Sequence, residues 1–209
     1  MRDASAENLK EPFACKGHPT LPVQAASGET FCFNCIVEAF QGHMYNMVAR
    51  ILGDWAVAED VTQEAFVSAY RAFSSFRGDN LRSWILRIAA NAARDVLRAQ
   101  KVRPSVSLDS PDQDYLSWSL SSNEEGPEDY ALRSELRRAI DKCLAGLPEE
   151  QRVAITLVDI QGSSYEEAAQ VMGVSLGTVK SRISRGRAAL RDALQAYGEL
   201  LPSLFRQDR

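Results

Sequence analysis

The sequence predicts an all-α protein built as two small helical domains joined by a flexible acidic linker. Three observations carry that prediction. Apolar residues recur at the three- and four-residue spacing of a single helix face along most of the chain. The stretch from Ser105 to about Gly126 breaks that period and is rich in Ser, Asp and Glu. Ser163 to Leu194 then reads as two short helices joined by a tight turn.

Residues 1 to about 20 form a head with no periodicity, interrupted by Pro12 and Pro19. Four residues here and beyond have metal-ligand chemistry: Cys15, His18, Cys32 and Cys35. Their C-x2-H-x13-C-x2-C pattern can hold a tetrahedral zinc ion. The competing reading places Cys32 and Cys35 inside the first helix as small apolar fillers. That reading is preferred, because one pair would otherwise ligate from within a helix and the usual knuckle glycines are missing; no cofactor is expected. Cys143 falls on the apolar face of a later helix and reads as core. Four cysteines in a chain expected to be cytoplasmic do not suggest disulfides.

The first domain is expected over residues 21–104. A helix from about Thr30 to Leu52 turns Phe40, Met44, Met47, Val48, Ile51 and Leu52 inward, and Gly53-Asp54 ends it. The next, about Trp55 to Phe73, buries Val61, Ala65, Phe66, Ala69 and Phe73. Its other face carries Glu59, Asp60, Gln63 and Glu64, which is either a solvated surface or a docking face for a basic partner. A loop from Ser74 to Asn80 leads to a third helix, about Leu81 to Gln100. Leu81, Ile85, Ile88, Ala89, Ala92 and Val96 are expected inward. Asn80, Ser83, Arg87, Arg94, Arg98 and Lys101 form an outward stripe with Trp84 at its border. Cations that track phosphates, with Trp84 and Phe76 nearby to stack on bases, suit single-stranded or melted nucleic acid. The alternative is a core tryptophan beside solubilising arginines.

The linker occupies 105–126, and the second domain is expected over 127–197. Pro127 opens a helix to about Ala145, and Leu147-Pro148-Glu149-Glu150 begins another that closes at Gly162. Ser164 and Glu167 fit a capping box, Gly173 supplies the turn and Ser175 caps the last helix. In that helix Leu176, Val179, Ile183, Leu190 and Leu194 share a face, with Gly186 filling the gap. Thr178, Ser181 and Arg185 point away from it, flanked by Arg182; Lys180 and Arg187 lie along one border. From Ser175 to Arg191 there are five basic residues and no acidic one. A capped helix-turn-helix with a basic, small-residue outer face suits a DNA major groove. Residues 198–209 form a short tail.

Charge follows the same division. The net charge is −4, yet Arg71 to Pro104 holds eight basic and two acidic residues, and Ser105 to Glu135 holds eight acidic and one basic. Two basic modules on either side of an anionic connector suit a protein with two DNA contacts. No apolar run approaches a membrane span, and the opening MRDASAENLKEPF lacks the apolar core of a signal peptide. No P-loop, dinucleotide glycine motif or nucleophile elbow is present. With His18 and His43 the only histidines, a triad has little material. The sequence therefore points away from an enzyme.

Two long segments resemble a known family. AEDVTQEAFVSAYRAFSSFRGDNLRSWILRIAANAARDVLR resembles region 2 of bacterial sigma factors of the extracytoplasmic-function (ECF) group of the sigma-70 family. LPEEQRVAITLVDIQGSSYEEAAQVMGVSLGTVKSRISRGRAALR resembles their region 4. The resemblance implies a transcription initiation factor that binds core RNA polymerase and directs promoter recognition and melting. It implies polymerase docking by Asp60, Gln63 and Glu64 on the beta-prime clamp helices. It implies contacts to the −10 element by Asn80, Trp84, Arg87, Asn91, Arg94 and Arg98. Contacts to the −35 element would come from Thr178, Lys180, Ser181, Arg182, Arg185 and Arg187, with region 4 also touching the beta flap. An anti-sigma factor is an expected partner, and no membrane insertion is expected. The alternative is a stand-alone helix-turn-helix transcription regulator, which has no use for the second basic helix or the acidic face.

Overall fold

The computed structural model describes residues 21–77, 80–102 and 127–200. The chain divides into two compact units, one of Met1–Val48 with Ala56–Pro104 and one of Ala49–Trp55 with Ser105–Arg209. The expected linker lies outside the described residues, as do Cys15 and His18.

The first unit begins with a small hairpin that the periodicity did not announce. β1 (Pro22–Gln24) pairs antiparallel with β2 (Thr30–Cys32) in the register Val23 opposite Phe31. Gly28, at φ 87°, turns the chain between them, and the Ala25 amide donates to the Glu29 carbonyl at 2.9 Å. Thr30 to Cys32 was expected to be helical. These residues pair instead because a β-branched and an aromatic residue face an extended Pro-Val-Gln across that turn. The Phe33 amide prolongs the pairing by donating to the Leu21 carbonyl at 2.8 Å.

α1 (Phe33–Leu52) follows directly and buries Ile36, Phe40, Met44, Met47 and Val48. Gly53 ends it in the left-handed region at φ 74°, its amide donating to the Ala49 carbonyl. α2 (Trp55–Ala72) buries Ala58, Val61, Thr62, Ala65 and Ala69; the Thr62 hydroxyl donates to the Ala58 carbonyl at 2.7 Å and so enters the core satisfied. A 3-10 turn, Phe73–Ser75, leads out of α2.

Around that turn sits an aromatic cluster. Phe73 lies 5.5 Å from Phe31, 5.6 Å from Phe76 and 5.7 Å from Trp84, centroid to centroid. Phe76 and Trp84 are 5.5 Å apart. Offset and edge-on pairs at this spacing add to the area they bury, by about 0.5–1.5 kcal/mol each. The hairpin also ties to the turn through the Ala26 amide, which donates to the Phe76 carbonyl at 2.7 Å.

α3 (Leu81–Val102) buries a face displaced from the expected one. Ile85 and Ala89 are buried as anticipated, but their companions are Leu86, Ala90, Ala93 and Leu97. Leu81, Ile88, Ala92 and Val96 are only half-buried. Four alanines at 89, 90, 92 and 93 present small side chains on several faces, so periodicity alone did not fix which way the helix turns.

In the second unit α4 (Pro127–Ala145) is followed by α5 (Glu149–Ile155), a π-helical turn at Thr156–Ile160, α6 (Tyr165–Met172) and α7 (Leu176–Leu194). Cys143 is 7% exposed in this core, and burial raises its thiol above the ordinary range. The Arg152 guanidinium is buried and donates to the Ala145 carbonyl at 2.8 Å, which satisfies an acceptor at the end of α4. The π turn carries the bond from the Gln161 amide to the Thr156 carbonyl, five residues back, at 3.0 Å.

Both caps of the helix-turn-helix form as expected. The Glu167 amide donates to the Ser164 hydroxyl at 3.0 Å, and the Ser164 amide donates to the Glu167 carboxylate at 2.8 Å. Gly173 takes the left-handed conformation at φ 65°. The Thr178 amide donates to the Ser175 hydroxyl at 3.2 Å, which opens α7. α7 buries Val179, Ile183 and Gly186, whereas Leu176, Leu190 and Leu194 are half-buried.

Candidate functional site

Three surfaces carry the residues singled out from the sequence. On α2, Asp60, Gln63 and Glu64 are all exposed beside Glu59. The periodicity that buries Val61, Ala65 and Ala69 sets these polar residues on the opposite side. Sequence reasoning missed two neighbours. Val67 and Tyr70 are 48% and 44% exposed, at helical spacing from Gln63 and Glu64. Tyr70 rests its ring edge-on against Phe33 at 5.2 Å, which steadies it at the surface. An acidic row continued by apolar and aromatic area suits a protein partner better than a purely solvated face.

On α3, Arg87, Asn91 and Arg98 are exposed, and Arg94 is half-buried at the border of the stripe. Arg98 pairs with Asp95 at 2.8 Å, but both side chains are well exposed, so the pair restrains the guanidinium only weakly. Asn80 has a local duty that the sequence reading did not assign. Its side-chain oxygen accepts from the Ser83 amide at 2.9 Å, so it caps α3. Trp84 is half-buried and packs one side on Phe73 and Phe76. Phe76 itself is only 3% exposed. The expectation that it would offer a stacking surface is corrected: Phe76 is core, and it backs Trp84. The hairpin, the 3-10 turn and this pair of rings together brace the chain leading into α3.

On α7, Lys180 and Arg185 are exposed, and among the described residues neither has an ion-pair partner. The two small outward residues are engaged locally. The Ser181 hydroxyl donates to the Thr178 carbonyl at 2.9 Å, and the Thr178 and Ser175 hydroxyls meet at 2.9 Å. The other two arginines reach back to preceding elements. Arg187 forms a two-pronged bond with Asp159 of the π turn: Nε donates to Oδ2 at 3.0 Å and a terminal nitrogen donates to Oδ1 at 2.5 Å. That bond holds Arg187 protonated even above its ordinary range. Arg182 lies 2.7 Å from the Glu150 carboxylate of α5, an ion pair too far out of line to be a hydrogen bond. No sequence signal marked these pairs, because the partners are 28 and 32 residues apart and their approach depends on how α7 packs on α5 and the π turn.

For the proposed metal ligands, Cys32 ends β2 and is 3% exposed, and Cys35 lies in the first turn of α1, half-buried. Among the described residues, no group of three or more His, Cys, Asp or Glu is placed to hold a metal ion. No helix among them is long and apolar enough to cross a membrane.

Comparison with known proteins matches both units. The family described as Sigma-70 region 2 matches residues 36–103, and that described as Sigma-70, region 4 matches residues 137–190. The ECF RNA polymerase sigma-E factor of Escherichia coli (strain K12) is 40% identical over 171 residues, covering 80% of this chain and 89% of that protein. The RNA polymerase sigma-H factor of Pseudomonas aeruginosa is 38% identical over the same length and shares. Among solved structures, the sigma factor RpoE in complex with the anti-sigma factor NepR from Bartonella quintana aligns with a TM-score of 0.61 at 25% identity. The alignment covers 78% of this chain and 96% of that one. CnrH in complex with the cytosolic domain of CnrY aligns at 0.55 and 30% identity, covering 78% and 88%. With a basic helix beside an acidic face in one unit and a capped helix-turn-helix in the other, this chain belongs to the ECF sigma factors of the sigma-70 family.

Proposed function

We propose that the protein binds core RNA polymerase through α2 and carries it to promoters, with α3 meeting the −10 element and α7 meeting the −35 element. One observation supports this reading above the others: a single unit presents an acidic, partly apolar face on α2 and a basic stripe on α3. A stand-alone regulator needs only the helix-turn-helix. Asp60, Gln63 and Glu64, with Val67 and Tyr70, form the docking face. Arg87, Asn91 and Arg98 follow phosphates of the opening strand, and Trp84, backed by Phe76, offers one ring face to an unstacked base. Extruding a base costs a few kcal/mol, which such a platform offsets. Arg185 and Lys180 lead the −35 contact. The domain boundaries follow: residues 21–104 for the first function, 105–126 as connector and 127–197 for the second. The phosphoryl chemistry belongs to the polymerase, and the protein works beside it in the cytoplasm. The relatives solved with anti-sigma factors support a protein antagonist for this chain as well.

Run-off transcription tests the reading. Core polymerase with this protein should initiate at a defined set of promoters from the organism's own genome. Binding of duplex DNA by the protein alone, with no initiation at any promoter, would support the stand-alone regulator instead.

A further inference from the structure

The recognition helix carries more positive charge in sequence than it leaves unmatched by carboxylates. Of its four central cations, two lack an ion-pair partner among the described residues and two are paired with carboxylates, Arg187 with its side chain still 49% exposed. Lys180 and Arg185 are exposed without an ion-pair partner among the described residues. Arg187 lies against Asp159 of the π turn and Arg182 against Glu150 of α5. The Asp159 clasp is the better formed. A carboxylate that meets a guanidinium with two near-parallel bonds fixes its plane as well as its position. It also leaves N–H donors of the guanidinium that Asp159 does not use, with the Tyr165 side chain beside them as a second partner.

We infer that Asp159, with Glu150 in a lesser role, is a specificity residue for promoter DNA: it cancels the charge of Arg187 while holding its donors in one orientation. This rests on the reading of α7 as the −35 helix. Non-specific affinity for duplex comes almost wholly from cations that displace counterions from phosphates. A clasped arginine contributes little to that, because its charge is already matched. It still donates to an acceptor that a particular site places at its open edge. Arbitrary DNA therefore meets two unmatched cations, while the right duplex also engages the two held against carboxylates. The difference raises the ratio of specific to non-specific binding without raising affinity everywhere, and that ratio is what a promoter-directing protein needs in a genome of competing sites.

The full-length chain provides the test. Its binding to a scrambled duplex is followed by fluorescence anisotropy across a salt series, for the wild type, Asp159→Asn, Asp159→Glu, Asp159→Asn/Arg187→Gln and Glu166→Gln. Glu166 is an exposed acid of α6 in which the same change of net charge releases no arginine. Asp159→Asn should steepen the slope of log affinity against log salt by about 0.9, one further phosphate contact, and tighten scrambled-duplex binding at low salt about 3-fold. Asp159→Glu should restore the wild-type slope, and the double variant should lose the gain. Glu166→Gln should leave the slope unchanged. A slope unmoved by Asp159→Asn, with only the melting temperature lowered, would show a purely structural pair and overturn the inference. So would a gain that survives removal of Arg187, or an equal gain from Glu166→Gln. The reading of α7 is judged separately: a wild-type holoenzyme that binds promoter and scrambled duplex equally would reject that reading. The slopes on scrambled DNA would still decide whether Asp159 masks Arg187.

Discussion

Gly186 lies close against α5, and replacing it with valine tests how tightly that contact sets the recognition helix. A Cβ at this position would lie 2.9 Å from Cγ1 and 3.3 Å from Cδ1 of Ile155, and 3.4 Å from the Gln151 Cβ. Ile155 is 1% exposed, so it has little room to yield. Alanine meets this crowding but gains about 1 kcal/mol of helix propensity over glycine, which leaves Gly186→Ala near neutral. Valine adds two further carbons to the same gap. Overpacking a filled core costs about 1–3 kcal/mol, and the branched side chain forfeits part of the propensity gain. Gly186→Val should thus destabilise the second unit by about 1–2 kcal/mol, or roughly 4–16 °C for a domain of this size. Hydrogen exchange of α5 and α7 peptides in the full-length protein, alongside far-UV circular dichroism melting, reads the loss. Ile155→Ala alone should cost about 2–5 kcal/mol through the cavity it leaves. Combined with Gly186→Val, the total should fall short of the sum by about 1 kcal/mol or more, because valine fills that cavity. A valine variant as stable as wild type, or two costs that simply add, would refute the close-approach argument.

Three further outcomes follow from the same geometry. Ser164→Ala removes the hydroxyl that accepts from the Glu167 amide, so the second unit should lose about 1 kcal/mol in the same melting assay, with Ser164→Asp largely restoring it. Glu64→Lys on the exposed face of α2 should weaken binding to core polymerase at least several-fold in a pull-down titration while leaving the melting temperature within about 2 °C, as expected of a surface change. Arg185→Ala should reduce discrimination between the cognate upstream promoter element and its single-base variants by about 1–3 kcal/mol if the side chain reads a base edge; an equal loss on all sequences would make it a phosphate contact.

How far the sequence disclosed this structure depended on the range of each signal. The capping box at Ser164, the left-handed Gly173 and the cap at Ser175 were legible because each is decided by residues within one helical turn. The core of α1 was legible because Phe40, Met44, Met47, Val48 and Ile51 recur at helical spacing; in α2 Val61, Ala65 and Ala69 were placed correctly, but Phe66, expected inward, is half-buried and Thr62 is buried instead. α3 was misjudged by part of a turn because alanine carries little phase information. The hairpin was missed because three-residue strands are specified by pairing across a turn and leave no run of their own. The site divided in the same way. Exposure of Asp60, Gln63, Glu64, Arg87 and Arg185 followed from helix phase. The capping role of Asn80, the burial of Phe76 and the carboxylates over Arg182 and Arg187 required coordinates, since each depends on where a neighbour ends up.

The π-helical turn at Thr156–Ile160 has a consequence for chain length. A ring closed five residues back holds one residue more than an α turn, as the bond from the Gln161 amide to the Thr156 carbonyl shows. The segment thus keeps a residue of slack just ahead of the helix-turn-helix. A related chain one residue shorter here would close the turn into ordinary α-helix and leave Gly162, the capping box and both following helices close to their present orientation, whereas the same deletion within regular α-helix would turn everything after it by about 100° relative to α5. At this point in the chain, the wide turn lets the residue count change by one without changing which cations the helix offers to DNA.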